Sequence, residues 1–197
     1  MKNLMIFLVF IGIIGGVAMK YVNAFPVLDE TVKEKWAQVQ NQYKRRADLI
    51  PNLVKTVQGY AGHEEGVFKE VTEARSKATQ MTLDVSALDD PAKLKEFEAA
   101  QKTLGGALSR LMAITENYPQ LKADQNFLAL QSQLEGTENR IAVARKDYIE
   151  AVRDYNVALR KIPGKFIAEM LYPELKPRVT FEASEAEQSA PDVSFAK

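Results

Sequence analysis

The chain contains no cysteine and only one histidine, His63, among its 197 residues. Without cysteine there are no disulfides, thiolate metal sites or cysteine nucleophiles. A lone histidine removes most histidine-built metal centres and catalytic triads. A di-iron carboxylate site in a helical bundle, for instance, needs Glu-x-x-His on each of two helices, which one subunit here cannot supply. Excess charge of one sign is also missing: 26 Lys plus Arg balance 26 Asp plus Glu, so no net field recruits nucleic acid or other polyanions. Nor is there a G-x-S-x-G, H-E-x-x-H, Walker loop or dinucleotide fingerprint.

What the chain does have is a marked apolar start. Asn3 to Met19 carries no charge, and its seventeen residues stand at the lower edge of what crosses a bilayer core. Lys20, Tyr21 and Val22 add a turn if the lysine snorkels. We therefore expect a transmembrane anchor over residues 1–24. The rival is a signal peptide cleaved after Val22-Asn23-Ala24, but the apolar run is longer than the usual signal core and Lys20 interrupts it before the cleavage point. Positive charges nearly balance across the segment, Lys2 and the amino terminus against Lys20, Lys33 and Lys35; a short N-terminus with the following domain on the extracytoplasmic side is preferred. Gly12 and Gly16 form a GxxxG pair, a route to self-association in the membrane.

Beyond the anchor the periodicity is helical. Steps of four and three pick out Val32, Trp36, Val39, Tyr43, Arg46, Ile50, Leu53, Val57 and Tyr60, a seam broken only by Arg46. Gly59, Gly62 and Gly66 then signal a turn around His63. A second helix is expected over 64–80, a loop over 82–91, a third helix up to Pro119 with Leu94, Phe97, Gln101, Leu104 and Leu108 on its seam, and a fourth over 124–161. A short helix follows over 164–172. The prolines after it read as an extended C-terminal tail, residues 173–197, in which Val193 and Phe195 are candidates for docking. The fold class expected is all-α: a long antiparallel four-helix bundle, residues 25–172, between the anchor and the tail.

Lys44-Arg45-Arg46 resembles a nucleic-acid patch, yet two or three cations release too few counterions for that, and Arg46 lies on the apolar seam while Lys44 and Arg45 face outward. A buried arginine keeps its charge, so Arg46 requires a carboxylate; Glu138 and Glu73 are the candidates. Pro51 removes a helical hydrogen bond and crowds the carbonyl of Ala47, predicting a kink or local break over 47–50, a possible hinge or ligand notch. Asp48 is placed to accept from amides of a turn at Asn52. His63-Glu64-Glu65 offers one imidazole and two carboxylates, short of a metal site and better read as an exposed turn. Glu64, Glu65, Glu73 and Glu138 are the residues a carboxylate hydrolase or transferase would use.

The segment KRRADLIPNLVKTVQGYAGHE, residues 44–64, strongly resembles the signature of the LemA family of bacterial proteins. The resemblance continues through VTEARSKA (71–78), residues 116–156, PGKFIA (163–168) and VTFEA (179–183). It implies a short N-terminal membrane segment and a long antiparallel helical bundle, and brings with it no catalytic, cofactor or metal residues. The matching positions are Arg45, Arg46, Asp48, Pro51, Asn52, Gly59, Tyr60 and His63, with Glu138, Asn139 and Arg145 in the fourth helix. Some related sequences carry a lipobox cysteine; this one has none, so attachment would depend on the apolar helix. The expected function is a non-enzymatic, single-pass adaptor or scaffold for other membrane or envelope proteins, without cofactor or nucleic acid. The alternatives are a membrane-organising protein that forms homo-oligomers through Gly12 and Gly16, and the carboxylate enzyme.

Overall fold

The computed structural model describes residues 2–81 and 83–181, with the side chains of Ile14, Val17, Ala18 and Ser86 outside that set. The described regular elements are all helical: α1 (Lys2–Gln58), α2 (Glu65–Gln80), a 3-10 turn (Val85–Ala87), α3 (Pro91–Thr115), α4 (Pro119–Lys122), α5 (Gln125–Arg160) and α6 (Gly164–Leu171). Local chemistry accounts for several boundaries. Asp90 caps α3 by accepting from the amide of Ala92 at 2.9 Å, with Pro91 at the first helical position where its missing N–H costs nothing. Asp124 caps α5 by accepting from Phe127 at 2.9 Å.

Helix direction follows from the side-chain pairs. Tyr60 meets Asp124, Arg46 meets Glu138 and Trp36 meets Tyr148, so rising numbers on α1 oppose falling numbers on α5. Glu70 pairs with Arg110 and Ala78 with Gln101, so α2 and α3 are likewise antiparallel. Contacts also join α1 to α2 and to α6, but α3 and α5 make no extended backbone contact. The backbones of α3 and α5 stand apart, joined by side chains such as Arg145 and Glu98, and a cleft lies between them. Two buried clusters fill the interior. One is aromatic, around Trp36, Phe97, Tyr148 and Phe181; the other is largely aliphatic, around Leu53, Val57, Val71, Leu104 and Leu111.

Three expectations are refined by the structure. First, α1 runs without interruption across the supposed boundary at Ala24, and Phe25 is fully buried. Among the described residues no helix is long and apolar enough to cross a membrane. The described apolar side chains from Leu4 to Ile13 extend on the order of 15 Å, half a bilayer core; the side chains of Ile14, Val17 and Ala18, which the expected span also requires, lie outside the described residues. Second, of the kink or local break expected at Pro51 the break is absent, since α1 runs through it. The Ala47 carbonyl, deprived of its usual donor, accepts instead from Nε of Arg75 on α2 at 2.7 Å. Pro26 repeats the arrangement, with the Tyr172 hydroxyl donating to the Val22 carbonyl at 3.1 Å. Third, the start of the expected tail is a docked strap. The Val179 amide donates to the Leu88 carbonyl, the Tyr148 hydroxyl donates to the Val179 carbonyl, and Phe181 is buried against Trp36 and Tyr148. Val193 and Phe195 lie outside the described residues.

Candidate functional site

A cleft of about 2020 Å³ lies between α3 and α5. Its lining includes Leu108, Met112, Leu134 and Ile141, with Gly105 and Gly106 on the α3 wall. A Cβ added at either glycine would meet no neighbouring atom, so these residues widen the cleft rather than permit tight packing.

Arg46 anchors the polar part. It is buried, and its guanidinium spans three helices: Nη1 donates to Glu138 Oε1 on α5 at 3.0 Å, and Nη2 donates to the Gln101 side-chain oxygen on α3 at 2.7 Å and to the Gln101 carbonyl at 3.2 Å. Gln101 Nε2 in turn donates to the Ala78 carbonyl at 3.3 Å, which brings in α2. The guanidinium also faces the Tyr43 ring, 5.1 Å from its centroid, while Nε finds no acceptor among the described residues. The ion pair is lopsided: the arginine side chain is 5% exposed and the glutamate 46%. Arg145 forms a second pair, with Glu98 at 2.9 Å, and lies over the Phe181 ring at 4.1 Å. Burial pushes the Tyr43 hydroxyl above its ordinary pKa, against the pull of Arg145 and Arg46, so it stays neutral.

Of the two proposed partners for Arg46, Glu138 is the one found; Glu73 is exposed on α2, 3.8 Å from Lys69. Arg45, Asp48, Asn52, His63 and Asn139 are all exposed. Asp48 has no turn to cap, because α1 continues through Asn52 and uses those amides within the helix. Tyr60 is at the surface rather than on the seam, its hydroxyl donating to Asp124 at 2.9 Å. That bond, with the Phe127 amide, holds the Asp124 carboxyl below its ordinary pKa, the amide contributing more. His63 sits in the exposed turn before α2, and Glu64 accepts from the Tyr118 hydroxyl at 3.3 Å. The carboxylates considered for catalysis are thus dispersed: Glu64 on Tyr118, Glu73 on Lys69, Glu138 on Arg46. Among the described residues no group of three or more His, Asp or Glu could hold a metal ion. Sequence reasoning missed Gln101, Arg75 and Glu98. Of these, Gln101 left a trace, as the one amide on the seam of the third helix.

The sequence profile of the LemA family matches residues 35–195, a span that includes Arg46, the cleft and the strap. The chain belongs to the LemA family. Relatives include magnetosome protein MamQ 2 of Paramagnetospirillum magneticum, 28% identical over 174 residues, which covers 80% of this chain and 64% of that protein. Magnetosome protein MamQ of Magnetospirillum gryphiswaldense is 28% identical over 166 residues, 76% of this chain and 61% of its own length. Protein LemA of Metamycoplasma hominis is 25% identical over 156 residues, 79% of this chain and 66% of its own. This LemA-family chain therefore spans less than two thirds of the length of the relatives it matches.

Proposed function

We propose that this LemA-family protein is a non-enzymatic, membrane-associated helical adaptor. The apolar start of α1 holds it in the bilayer as a single pass, its helical body lies on the extracytoplasmic side, and the α3–α5 cleft receives an amphipathic helix from a partner membrane or envelope protein. One observation carries this reading: the α3–α5 cleft sets aliphatic side chains, Leu108, Met112, Leu134 and Ile141, around the paired Arg46–Glu138 and Arg145–Glu98. Such a surface suits helix-in-groove recognition, where apolar anchors fill the groove and a few oriented polar groups set the register. Glu138, half exposed at the cleft mouth, is the group positioned to meet a partner donor.

Photo-crosslinking in intact cells tests this. A crosslinker at Met112 or Glu135, on the cleft, should capture the same identified protein, whereas one at Arg153, exposed on α5, should not. Gly105→Phe has room in the unliganded fold and should abolish the product. Equal capture at Arg153, or a product indifferent to Gly105→Phe, would rule out the cleft as the docking surface. Protease access to tagged protein in oriented vesicles reads the side of the membrane. A second reading, homo-oligomerisation through α1, is favoured by the clear space around Gly12 and Gly16. Leucine at both positions would lower the oligomeric state if they mediate it.

A further inference from the structure

We infer that α6 is a membrane-surface foot, an amphipathic helix whose outer face lies in the headgroup region of the same bilayer that receives the start of α1. The inference depends on the membrane association proposed above and adds where the body touches the lipid.

The outer side of α6 exposes Phe166, 59% exposed, and Met170 one turn on, 73% exposed. Ile162, in the turn that leads into the helix, and Leu171, at its end, are 73% and 51% exposed. Single exposed apolar side chains are ordinary, but several grouped on and beside one short helix form a patch. The inner side of α6 is committed, with Gly164, Ile167 and Ala168 buried. Several fasteners then fix the helix to one level of α1. A Cβ at Gly164 would sit 3.1 Å from the Tyr21 ring and collide with the Ala158 carbonyl, so only glycine permits this approach. The Tyr172 hydroxyl donates to the Val22 carbonyl, and the Tyr172 and Phe25 rings meet at 5.9 Å.

That level identifies the occupant. The uncharged stretch of α1 ends at Met19, and α6 is attached between Tyr21 and Phe25. At about 1.5 Å per residue this lies roughly 3 to 9 Å beyond the apolar stretch, which matches the depth of one headgroup layer. Leu4 to Ile13 and Met19 expose apolar side chains on the neighbouring part of α1, so the foot continues an apolar surface already present. Its sequence neighbours supply the remaining chemistry. Lys20, Arg160 and Lys161 are exposed cations suited to anionic headgroups, Lys165 being paired with Glu169, and Tyr21 is an aromatic of the kind enriched at that depth. An apolar face flanked by lysines at this height fits a lipid surface.

The absence of cysteine allows a direct test with the full chain in vesicles containing phosphatidylglycerol. Single variants Leu8→Cys, Phe166→Cys, Met170→Cys and Glu169→Cys, each nitroxide-labelled, report whether oxygen or a water-soluble nickel chelate reaches the label. Leu8 should give the lipid signature and Glu169 the aqueous one. Phe166 and Met170 should both show oxygen access severalfold above nickel access, at a depth just inside the headgroups. If Leu8 is in lipid while Phe166 and Met170 match Glu169, the foot is overturned and membrane association stands. Shielding of Phe166 and Met170 from both reagents would mean a protein contact, which also overturns it. An aqueous signature at Leu8 would remove the membrane reading and the foot with it.

Discussion

Arg46 must be solvated by protein, because a guanidinium does not lose its proton at any ordinary pH. Four hydrogen bonds to Glu138 and Gln101, and the Tyr43 ring, take over that role. The seam position of Arg46, with the rule that a buried cation needs a carboxylate, was sufficient to name Glu138 in advance. It did not single Glu138 out from Glu73, which lies off the apolar face of α2 formed by Val71, Ala74 and Ala78. Nor could it reveal that Glu138 stays half exposed. This asymmetry governs the energetics. In Arg46→Met the carboxylate turns to water at little cost, and the loss falls on Gln101, whose buried oxygen has no remaining donor. We expect a destabilisation of about 2 kcal/mol, typical of one unsatisfied buried polar group. Adding Gln101→Leu should recover part of it. Glu138→Leu leaves a buried cation without its counter-charge and should cost more, roughly 3 kcal/mol. Urea denaturation of the four proteins measures both; a cheaper loss at Glu138 than at Arg46 would show that the carboxylate contributes little to solvating the arginine.

At the scale of the helices, α1 carries two internal prolines without a break. Each removes one amide donor and leaves the carbonyl four residues earlier without its helical partner. Arg75 reaches the Ala47 carbonyl from α2, and Tyr172 reaches that of Val22 from just beyond α6. The apolar seam continuing through Leu53 and Val57 was legible in the sequence, and so was the helix on both sides of Pro51. The repair was not, because proline acts locally while its compensating donor is brought in by tertiary packing, 28 residues along the chain. This makes the two residues energetically coupled. Arg75→Met should destabilise by about 1–2 kcal/mol, the loss of a charge-assisted bond to a buried carbonyl. In a Pro51→Ala background the helical amide returns and satisfies Ala47, so the same substitution should cost close to nothing. Additive effects in this double-mutant cycle would show that Arg75 contributes by packing and not by replacing the missing amide.

Across the whole molecule, the strap after α6 joins the two ends of the chain's long excursion. The prolines predicted an extended tail over 173–197, but composition does not distinguish a free tail from one docked over 173–181. Docking depends on particular partners: Asn156 exchanges bonds with Arg178, Arg178 pairs with Asp29 on α1 at 3.1 Å, and Phe181 covers Trp36. The cleft was similarly hidden, because seam counting locates apolar faces and leaves open which pair of helices will stand apart. Asp29 makes the strap sensitive to acid. Burial pushes its carboxyl upward, but hydrogen bonds from Lys33 and Arg178, aided by their charges, outweigh this and hold it below its ordinary value of 3.8. A carboxyl lowered on folding contributes stability that is fully present above pH 3.8 and disappears as the pH falls through its depressed folded value. Protonated Asp29 still accepts a hydrogen bond but no longer offers Arg178 a counter-charge, so the strap should lift before the helices melt. Trp36, the single tryptophan and fully buried, lies beneath Phe181 and reports the event. Its emission should shift to the red below pH 3.8 while far-ultraviolet circular dichroism still reads helical. In Asp29→Asn the pairing charge is absent at every pH, so the shift should already be partly present at neutrality and respond less to acid. Emission that moves with pH identically in both proteins would place the acid-sensitive contact elsewhere.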